Sequence, residues 1–144
     1  MRVEGLDHLV LTVADIGRTR GFYERVLGME HVVFGAEDRH ALAFGEQKIN
    51  LHEAGREFEP KAAAPTTGSA DLCFWTVTPL GAVVEHLRNA GVGIEQGRVR
   101  RTGARGPLDS IYLRDPDGNL LEISNYDSEA CEAADTENER EERV

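Results

Sequence analysis

Residues 114–125 read Arg-Asp-Pro-Asp-Gly-Asn-Leu-Leu-Glu-Ile-Ser-Asn. Pro116 and Gly118 supply the fixed and the permissive backbone angles of a tight turn, and the apolar residues that follow predict a strand. Because side chains alternate between the two faces of a strand, Glu122 and Ser124 share one face. A carboxylate in a half-apolar strand is costly unless something pairs with it. Glu122 therefore requires a metal ion, a basic side chain or solvent as its partner.

The composition predicts a single globular domain with an acidic tail. The chain has 144 residues, of which 40% are hydrophobic, and this is enough to build one core. Its net charge is −10, and −6 of that falls in residues 127–144, which contain eight acidic and two basic residues. Such a charge run is typical of a solvated segment. The acidic balance does not favour a nucleic-acid partner.

The sequence has none of the features of a membrane or secreted protein. No apolar run approaches the roughly 18–20 residues that a membrane span needs, and the N-terminus lacks a signal-peptide pattern. The two cysteines, Cys73 in a predicted strand and Cys131 in the tail, do not indicate a disulfide framework. We therefore expect a cytoplasmic protein that does not contact the membrane. Cys73 is interpreted as a small buried residue rather than a nucleophile.

The two halves of the chain repeat one another. Their first strands begin near His8 and near Asp71, which lie 63 residues apart. The same offset separates the two predicted helix caps, and also the two glycines at which the helices end: Asp15 and Thr78, Gly28 and Gly91. Three landmarks at one offset indicate an internal duplication. The predicted fold class is α+β, with two tandem β-α-β-β-β modules forming a curved mixed sheet around a metal and substrate pocket.

The predicted boundaries follow from this repeat. Residues 1–126 form one domain, and residues 127–144 form the tail. Within the domain, module 1 covers about residues 5–53, a linker rich in alanine, proline and glycine covers 54–69, and module 2 covers about 70–126. Residues 98–107 are predicted to form a basic, glycine-containing loop, which either binds an anion or remains a solvated turn.

The alternation of side chains along the predicted strands places several polar residues on corresponding strand faces. Alternation places His8 and His52 on the polar faces of the first and fourth strands, and Glu122 on that of the last strand. Two imidazoles and a carboxylate suit a divalent metal ion with open coordination positions. Asp71 is either a further ligand or a residue at the rim of the site. The alternative for His8 alone is a strand histidine hydrogen-bonded to a neighbour.

Four motifs resemble those of the vicinal oxygen chelate superfamily, the glyoxalase, fosfomycin-resistance and bleomycin-resistance group. They are LDHLVLTV (6–13), RTRGFYERVLGM (18–29), KINLH (48–52) and IYLRDPDGNLLE (111–122), within a resemblance that covers residues 5–126. The resemblance implies a divalent ion (Mn²⁺, Ni²⁺, Zn²⁺ or Fe²⁺) held at the start of each half's first strand and in its last strand. By position these ligands are His8, His52, Asp71 and Glu122. It also implies a homodimer with a small-molecule substrate.

The resemblance also suggests roles around the metal. In glyoxalase-like reactions a metal-bound carboxylate can leave the ion and act as a base, which is the role implied for Glu122. Ser110 and Tyr112 stand twelve and ten residues before it, a spacing similar to that of phosphonate-contacting residues in fosfomycin-modifying enzymes. Trp75 either lines the pocket or is a core aromatic residue. Arg105 would bind an anionic substrate from the basic loop.

Four functions are compatible with the resemblance. The first is a metal-dependent lyase or isomerase of the glyoxalase type, acting on a small oxygenated metabolite. A fosfomycin-type transferase or hydrolase is disfavoured because residues 123–139 contain no basic side chain. An extradiol-type dioxygenase would use Fe²⁺ with two histidines and a glutamate, but such enzymes are usually longer. A metal-free binding module, like the bleomycin-sequestering proteins, generally lacks the ligand set.

Overall fold

The computed structural model describes residues 1–127, so most of the predicted acidic tail, including Cys131, lies outside the described residues. The strands and helices follow in the order β1 (His8–Val13), α1 (Ile16–Leu27), β2 (Glu30–Phe34), β3 (Arg39–Phe44), β4 (Gln47–Glu53), β5 (Asp71–Trp75), α2 (Leu80–Asn89), β6 (Gln96–Gly103), β7 (Gly106–Arg114) and β8 (Leu120–Tyr126). The predicted α+β class with two β-α-β-β-β modules is confirmed.

The chain folds into two compact units. Unit 1 contains Met1–Ala70 and the short segment Asp115–Asn119, and unit 2 contains Asp71–Arg114 and the chain from Leu120 onward. Each unit has one four-stranded mixed sheet and one helix. Among residues 1–127, neither helix is long and apolar enough to cross a bilayer.

Unit 1 is built on a sheet with the strand order β1-β4-β3-β2, in which β1 runs parallel to β4 and the other neighbours are antiparallel. Helix α1 begins where the side chain of Asp15 accepts a 2.7 Å hydrogen bond from the backbone N–H of Arg18, as expected of an N-cap. It ends at Gly28, whose φ of 66° is the left-handed conformation that glycine adopts readily. Both predicted ends of α1 are therefore confirmed.

The segment Asp115–Asn119 contacts the rest of unit 1 through the side chains of two aspartates and one asparagine. The Tyr23 hydroxyl, on the buried face of α1, donates a 2.8 Å hydrogen bond to Asp115 Oδ2. Arg18 Nη2 donates at 3.0 Å to Asp117 Oδ1. Asn119 Oδ1 accepts from the backbone N–H of Ala70 at 2.9 Å. The turn is thus held by polar contacts, of which that between Tyr23 and Asp115 is buried, as well as by its proline and glycine.

Unit 2 repeats the arrangement with the strand order β5-β8-β7-β6, in which β5 runs parallel to β8. Alternate residues of β7 and β8 form an apolar face, and their side chains are buried together with two leucines of α2: Ile111, Leu113, Leu121, Ile123, Leu80 and Leu87. The opposite face of the same strands carries hydroxyls and a carboxylate. This polar face positions the candidate site.

The predicted loop at residues 98–107 is wrong. These residues form most of β6 and the start of β7, joined by a two-residue turn at Ala104 and Arg105. Strand β6 lies at the edge of its sheet, and only Val99 and Gly103 are half-buried along its length. An edge strand with both faces in water has no apolar alternation, so its sequence looks like that of a loop.

The predicted cap of α2 at Thr78 is also wrong. The cap position is Pro79, which has no capping side chain. Instead, Asn125 Oδ1 accepts a 2.9 Å hydrogen bond from the backbone N–H of Leu80. Asn125 Nδ2 donates to the carbonyl oxygens of Thr76 at 2.7 Å and Thr78 at 2.9 Å. Asn125 of β8 therefore provides hydrogen bonds for backbone groups at the start of α2, which begins 45 residues earlier in the chain. Local sequence rules cannot reveal such a long-range contact.

Candidate functional site

The candidate site centres on Glu122, whose carboxylate is held by three hydroxyl groups. Its Oε2 accepts hydrogen bonds from Ser110 at 2.6 Å and from Ser124 at 3.3 Å, and its Oε1 accepts one from the Tyr112 hydroxyl at 3.0 Å. The β7–β8 register pairs Tyr112 with Glu122 and Ser110 with Ser124, so all four side chains share one face. Hydroxyls, rather than a basic side chain, are the partners of this carboxylate.

A guanidinium group extends this network without touching the carboxylate. Arg101 of β6 donates from Nε to the Tyr112 hydroxyl oxygen at 2.9 Å, and its guanidinium carbon lies 5.5 Å from the centre of that ring. Tyr112 accepts from Arg101 and donates to Glu122, so its hydroxyl proton is directed at Oε1. Within residues 1–127, no lysine or arginine pairs with Glu122 directly.

The thiol of Cys73 borders the other side of the network. Cys73 lies opposite Glu122 in the β5–β8 ladder, and its Sγ is 3.3 Å from the Ser124 hydroxyl oxygen. Burial raises the pKa of the Cys73 thiol, and the charge of Glu122 raises it further, although the hydrogen bond with Ser124 acts in the opposite direction. The interpretation of Cys73 as a buried residue is wrong, because it is exposed on strand β5. The raised pKa makes the thiol a protonated neighbour of the carboxylate, in agreement with the interpretation that it is not a nucleophile.

Asp71 places a second carboxylate on this face of unit 2. It begins β5, two residues before Cys73, and is paired with Leu120 in the ladder. Its side chain is exposed, and within the described chain its carboxylate makes no hydrogen bond or ion pair. Asp71 and Glu122 are therefore two carboxylates on one face, one held by hydroxyls and one with its oxygens available to a ligand.

In unit 1 the two predicted histidine ligands lie far apart. His8 is paired with Lys48 and His52 with Thr12, so four residues, about 13 Å, separate their levels along the β1–β4 ladder. His8 is exposed, and its Nδ1 lies 2.6 Å from a carboxylate oxygen of Asp7, which leaves Nε2 as the ring nitrogen without a partner within residues 1–127.

His52 has a different environment from His8. It is only 7% exposed, and its ring meets Phe58 edge-on with the ring centres 5.8 Å apart. Burial lowers the pKa of His52, and the positive charge of Arg39 lowers it further. A neutral imidazole packed against an aromatic ring is the ordinary environment of a core histidine.

Strand register identifies a residue that sequence reasoning missed. In unit 2, Glu122 is opposite Cys73, two residues after the start of β5; in unit 1, the corresponding partner of Val10 is Asn50 and not His52. Asn50 Oδ1 is buried and has no hydrogen-bond partner within the described chain. The position in unit 1 that corresponds to Glu122 therefore carries an amide oxygen. Asn50 can be identified as this position only from the register between β1 and β4, and the sequence alone does not give that register.

Trp75 and Arg105, the two remaining predicted substrate-binding residues, lie near each other in unit 2. The guanidinium of Arg105, in the β6–β7 turn, lies 5.0 Å from the ring centre of Trp75 and 4.4 Å from that of Tyr126. Tyr126 was not predicted, and its position four residues after Glu122 on the same strand face is the signal that would have found it. Arg100, from the same predicted loop, instead forms ion pairs with two aspartates, Asp109 at 3.4 Å and Asp127 at 3.1 Å.

Two histidines outside the predicted set contact each other. His31 Nε2 and His40 Nδ1 share a 2.8 Å hydrogen bond, and the rings stack with their centres 5.1 Å apart. Burial lowers the pKa of His31, with further contributions from Arg20 and His40. Each of the two rings therefore has the other as its partner.

The donor set on the polar face of unit 2 fits a hard divalent cation. Carboxylate oxygens suit Mn²⁺ and Mg²⁺, and hydrogen bonds that orient a carboxylate are the usual surroundings of a metal ligand. Glu122 has such hydrogen bonds from three hydroxyls, and Asp71 lies on the same face. Among residues 1–127, no three histidine, cysteine or acidic side chains lie close enough together to hold an ion on their own.

Comparison with known proteins gives consistent matches over most of the chain. A model of the Glyoxalase/Bleomycin resistance protein/Dioxygenase superfamily matches residues 5–123. Virulence protein STM3117 of Salmonella typhimurium is 59% identical over 126 residues, 88% of this chain and 87% of that protein. Its crystal structure superposes with a TM-score of 0.86, covering 88% of this chain and 100% of that one.

Two further relatives come from a fungus and from a Bacillus species. The glyoxalase domain-containing protein RDO1 of Mycosarcoma maydis is 52% identical over 126 residues, 88% of this chain and 70% of that protein. Metallothiol transferase FosB of Bacillus licheniformis is 30% identical over 129 residues, 85% of this chain and 75% of that protein.

Proposed function

Because the chain belongs to the Glyoxalase/Bleomycin resistance protein/Dioxygenase superfamily, we propose that it is a divalent-metal-dependent enzyme. Its reaction is of the lyase or isomerase type found in glyoxalases, on a small substrate with two adjacent oxygens. The observation that supports the proposal is the Glu122 carboxylate, which three hydroxyls orient and no basic side chain neutralises within residues 1–127. A divalent cation would supply the missing positive charge.

The proposed ligands in unit 2 are Glu122 and Asp71, and the two histidine ligands that the resemblance implies, His8 and His52, stay predictions. Asp71 is included because its carboxylate lies on the same strand face as Glu122 and has no partner within the described chain. Within unit 1, Asp7 engages Nδ1 of His8, which is how metal-binding imidazoles are commonly oriented. His52 is buried against Phe58 and lies four residues from His8 along the β1–β4 ladder. A set rich in oxygen favours Mn²⁺ over softer ions.

The chemistry that such an ion supplies is Lewis-acid polarisation of the substrate oxygens as negative charge develops on them. The chain itself supplies a positioned base. Glu122 Oε2, with two hydroxyl donors, stays anchored to Ser110 and Ser124, whereas Oε1 accepts a single 3.0 Å bond from Tyr112. Oε1 is therefore the oxygen that takes a proton from substrate carbon, while Tyr112 turns its hydroxyl away.

A second candidate is a metallothiol transferase, favoured by the 30% identity with the FosB relative. In such a reaction Glu122 would stay a ligand throughout and would take up no proton. The two candidates therefore differ in one observable, which is whether hydrogen on a substrate carbon exchanges with solvent.

Metal content tests the shared part of both candidates. We expect about one equivalent of a divalent ion per chain in the full-length protein, and a loss of affinity of about tenfold or more in Glu122→Gln. Glu85→Gln is the matched control, because Glu85 is exposed on α2, away from the polar face. Equal metal binding in all three proteins, or none in any of them after reconstitution, would exclude the proposed site.

Proton exchange then separates the candidates. The metal-loaded protein is incubated in D₂O with a panel of 2-hydroxycarbonyl compounds and with hemithioacetals formed from 2-oxoaldehydes and thiols. Deuterium appearing at carbon in the wild type but not in Glu122→Gln supports the lyase or isomerase. In a separate incubation with a thiol and an epoxide, formation of the ring-opened thioether without deuterium incorporation at carbon identifies the transferase. The homodimer implied by the resemblance stays a prediction, and sedimentation of the same samples tests it.

A further inference from the structure

Lys48 projects from β4 onto the polar face of the unit 1 sheet, the face that also carries Asn50. Its ammonium nitrogen lies 3.7 Å from the centre of the Phe34 ring and forms no hydrogen bond or ion pair within residues 1–127. We propose that Lys48 and the side-chain amide of Asn50 bind a small oxyanion, either a carboxylate or a phosphate group. We call these two residues the Lys48–Asn50 site. The site lies within unit 1 and needs none of the metal ligands proposed in unit 2.

The ammonium of Lys48 lacks a carboxylate partner among the described residues of a chain whose net charge is −10. The only other lysine, Lys61, forms a 2.8 Å ion pair with Glu59. Because Lys48 is half-buried, its charge is partly removed from water, which costs free energy unless an opposite charge compensates. The face of the Phe34 ring attracts the ammonium and offsets part of that cost. A bound anion would supply the full opposite charge.

The ammonium also lies away from a carboxylate that starts at its own level of the sheet. Strand register places Lys48 opposite Ala43 and Ala43 opposite Glu30, so Lys48 and Glu30 share one level and one face. The ammonium lies instead over Phe34, four residues or about 13 Å along β2 from Glu30. An ammonium has three N–H donors, and none of those of Lys48 is used by the described chain. The N–H groups that point away from the ring are therefore available to a ligand.

Asn50 supplies a neutral donor on the same face. It follows Lys48 by two residues, about 7 Å along β4. Its Oδ1 is buried without a hydrogen-bond partner, whereas its side chain as a whole is half-buried, so the amide is turned with Nδ2 outward. This orientation leaves a buried acceptor unpaired, which costs free energy, and an anion bound by Nδ2 would offset that cost. An amide N–H and an ammonium are both donors, so together they suit an oxyanion and not a cation.

Arg39 adds positive charge beside the same ring. It lies directly opposite Phe34 in the β2–β3 ladder. Its guanidinium is 4.3 Å from the centre of the Phe58 ring, and its contact with Glu37 is long, at 3.8 Å. Because these contacts engage Arg39, we do not count it among the binding groups, but its charge raises the local concentration of anions. The alternative is that Lys48 only packs against Phe34 and binds nothing.

Amine labelling tests the site in the unaltered protein, because Lys48 and Lys61 are the only lysines. The metal-free full-length protein is acetylated in sodium phosphate, in sodium acetate and in sodium chloride at one pH and ionic strength, and mass spectrometry follows each lysine. We expect phosphate or acetate to slow the acetylation of Lys48 saturably, by at least about fivefold, with Lys61 unchanged. The anion that protects identifies the ligand class. No saturable protection by either anion, or equal protection of both lysines, would overturn the proposal.

Variants separate anion binding from packing. Lys48→Met keeps an unbranched side chain against Phe34 but removes the charge, so an NMR titration with the protecting anion should show affinity reduced about tenfold or more. Asn50→Ala removes one neutral donor and should reduce affinity about threefold. Lys61→Met is the matched control and should bind like the wild type, because Lys61 is already paired with Glu59. If Lys48→Met and Lys61→Met bind the anion equally well, Lys48 only packs against Phe34 and the site is excluded. If Lys48→Met does not fold, the labelling of the wild type decides.

Discussion

The hydroxyl of Ser110 donates a 2.6 Å hydrogen bond to Glu122 Oε2 and lies 2.7 Å from the hydroxyl oxygen of Ser124, which contacts the same carboxylate oxygen. Both serines are fully buried, on two strands that pair directly. The carboxylate is thus positioned by the body of a sheet and not by a loop. Sites built on strands hold their geometry more precisely than sites built on loops, which suits a metal ligand.

The first prediction concerns this serine. Ser110→Ala removes the shortest hydrogen bond to Glu122 while leaving the charge of the site unchanged. Because orienting hydrogen bonds around a metal ligand typically contribute tenfold to a hundredfold in affinity, calorimetry should show metal affinity reduced by at least about tenfold. Ser69→Ala is the control, since the Ser69 hydroxyl donates only to a backbone carbonyl in unit 1. Identical affinities for the two variants would contradict the orienting role.

The second prediction concerns Arg101, which we expect to act through Tyr112. Exposed charge pairs contribute little, about 0–1 kcal/mol, so Arg101→Gln alone should lower metal affinity no more than about fivefold. The informative measurement is a double-mutant cycle with Tyr112→Phe. Because Arg101 reaches Glu122 only through the Tyr112 hydroxyl, the two losses should be non-additive, with a coupling of about 0.5–1 kcal/mol. Additive losses would mean that Arg101 acts independently.

The third prediction follows from the corrected cap of α2. Asn125→Ala removes one hydrogen bond to the backbone N–H of Leu80 and two to carbonyl oxygens. Urea denaturation should show a loss of about 1–2 kcal/mol in the free energy of unfolding, as for other lost helix caps. Thr78→Ala should change stability by less than about 0.5 kcal/mol. The reverse ranking would restore Thr78 as the cap.

The repeat was predictable from sequence, because it depends on local signals. Asp15 and Gly28 mark the ends of α1 by side-chain capping and by a positive φ, and both act within a few residues of the chain. Strand β6 was missed because it is a strand through its pairing with β7, whereas its own residues carry no strand pattern. Only Val99 among its large side chains is even half-buried.

The site was predictable only within one hairpin. Ser110, Tyr112 and Glu122 lie on neighbouring antiparallel strands joined by a short turn, so parity alone places them on one face. The choice between Asn50 and His52 depends on how β4 pairs with β1 across an intervening helix and two strands. No local pattern fixes that register, and a shift of two residues keeps the same face while moving the side chain by about 7 Å.

The last prediction concerns Tyr23, whose hydroxyl donates to Asp115 at 2.8 Å inside unit 1. Burial, followed by the negative charge of Asp115, raises the pKa of the Tyr23 phenol above its usual value of 10.0. The folded protein therefore keeps a proton that the unfolded chain loses above about pH 10, so Tyr23 makes stability fall as pH rises beyond that value.

Tyr23→Phe should accordingly change both the free energy of unfolding at neutral pH and its dependence on pH. At neutral pH the variant should be less stable by about 1–2 kcal/mol, because Asp115 loses a donor in a buried setting. Above about pH 10 its free energy of unfolding should fall less steeply than that of the wild type, because phenylalanine has no proton to lose. Urea unfolding at a series of alkaline pH values measures this difference, and parallel curves for the two proteins would show that the phenol ionises equally easily in the folded and unfolded states.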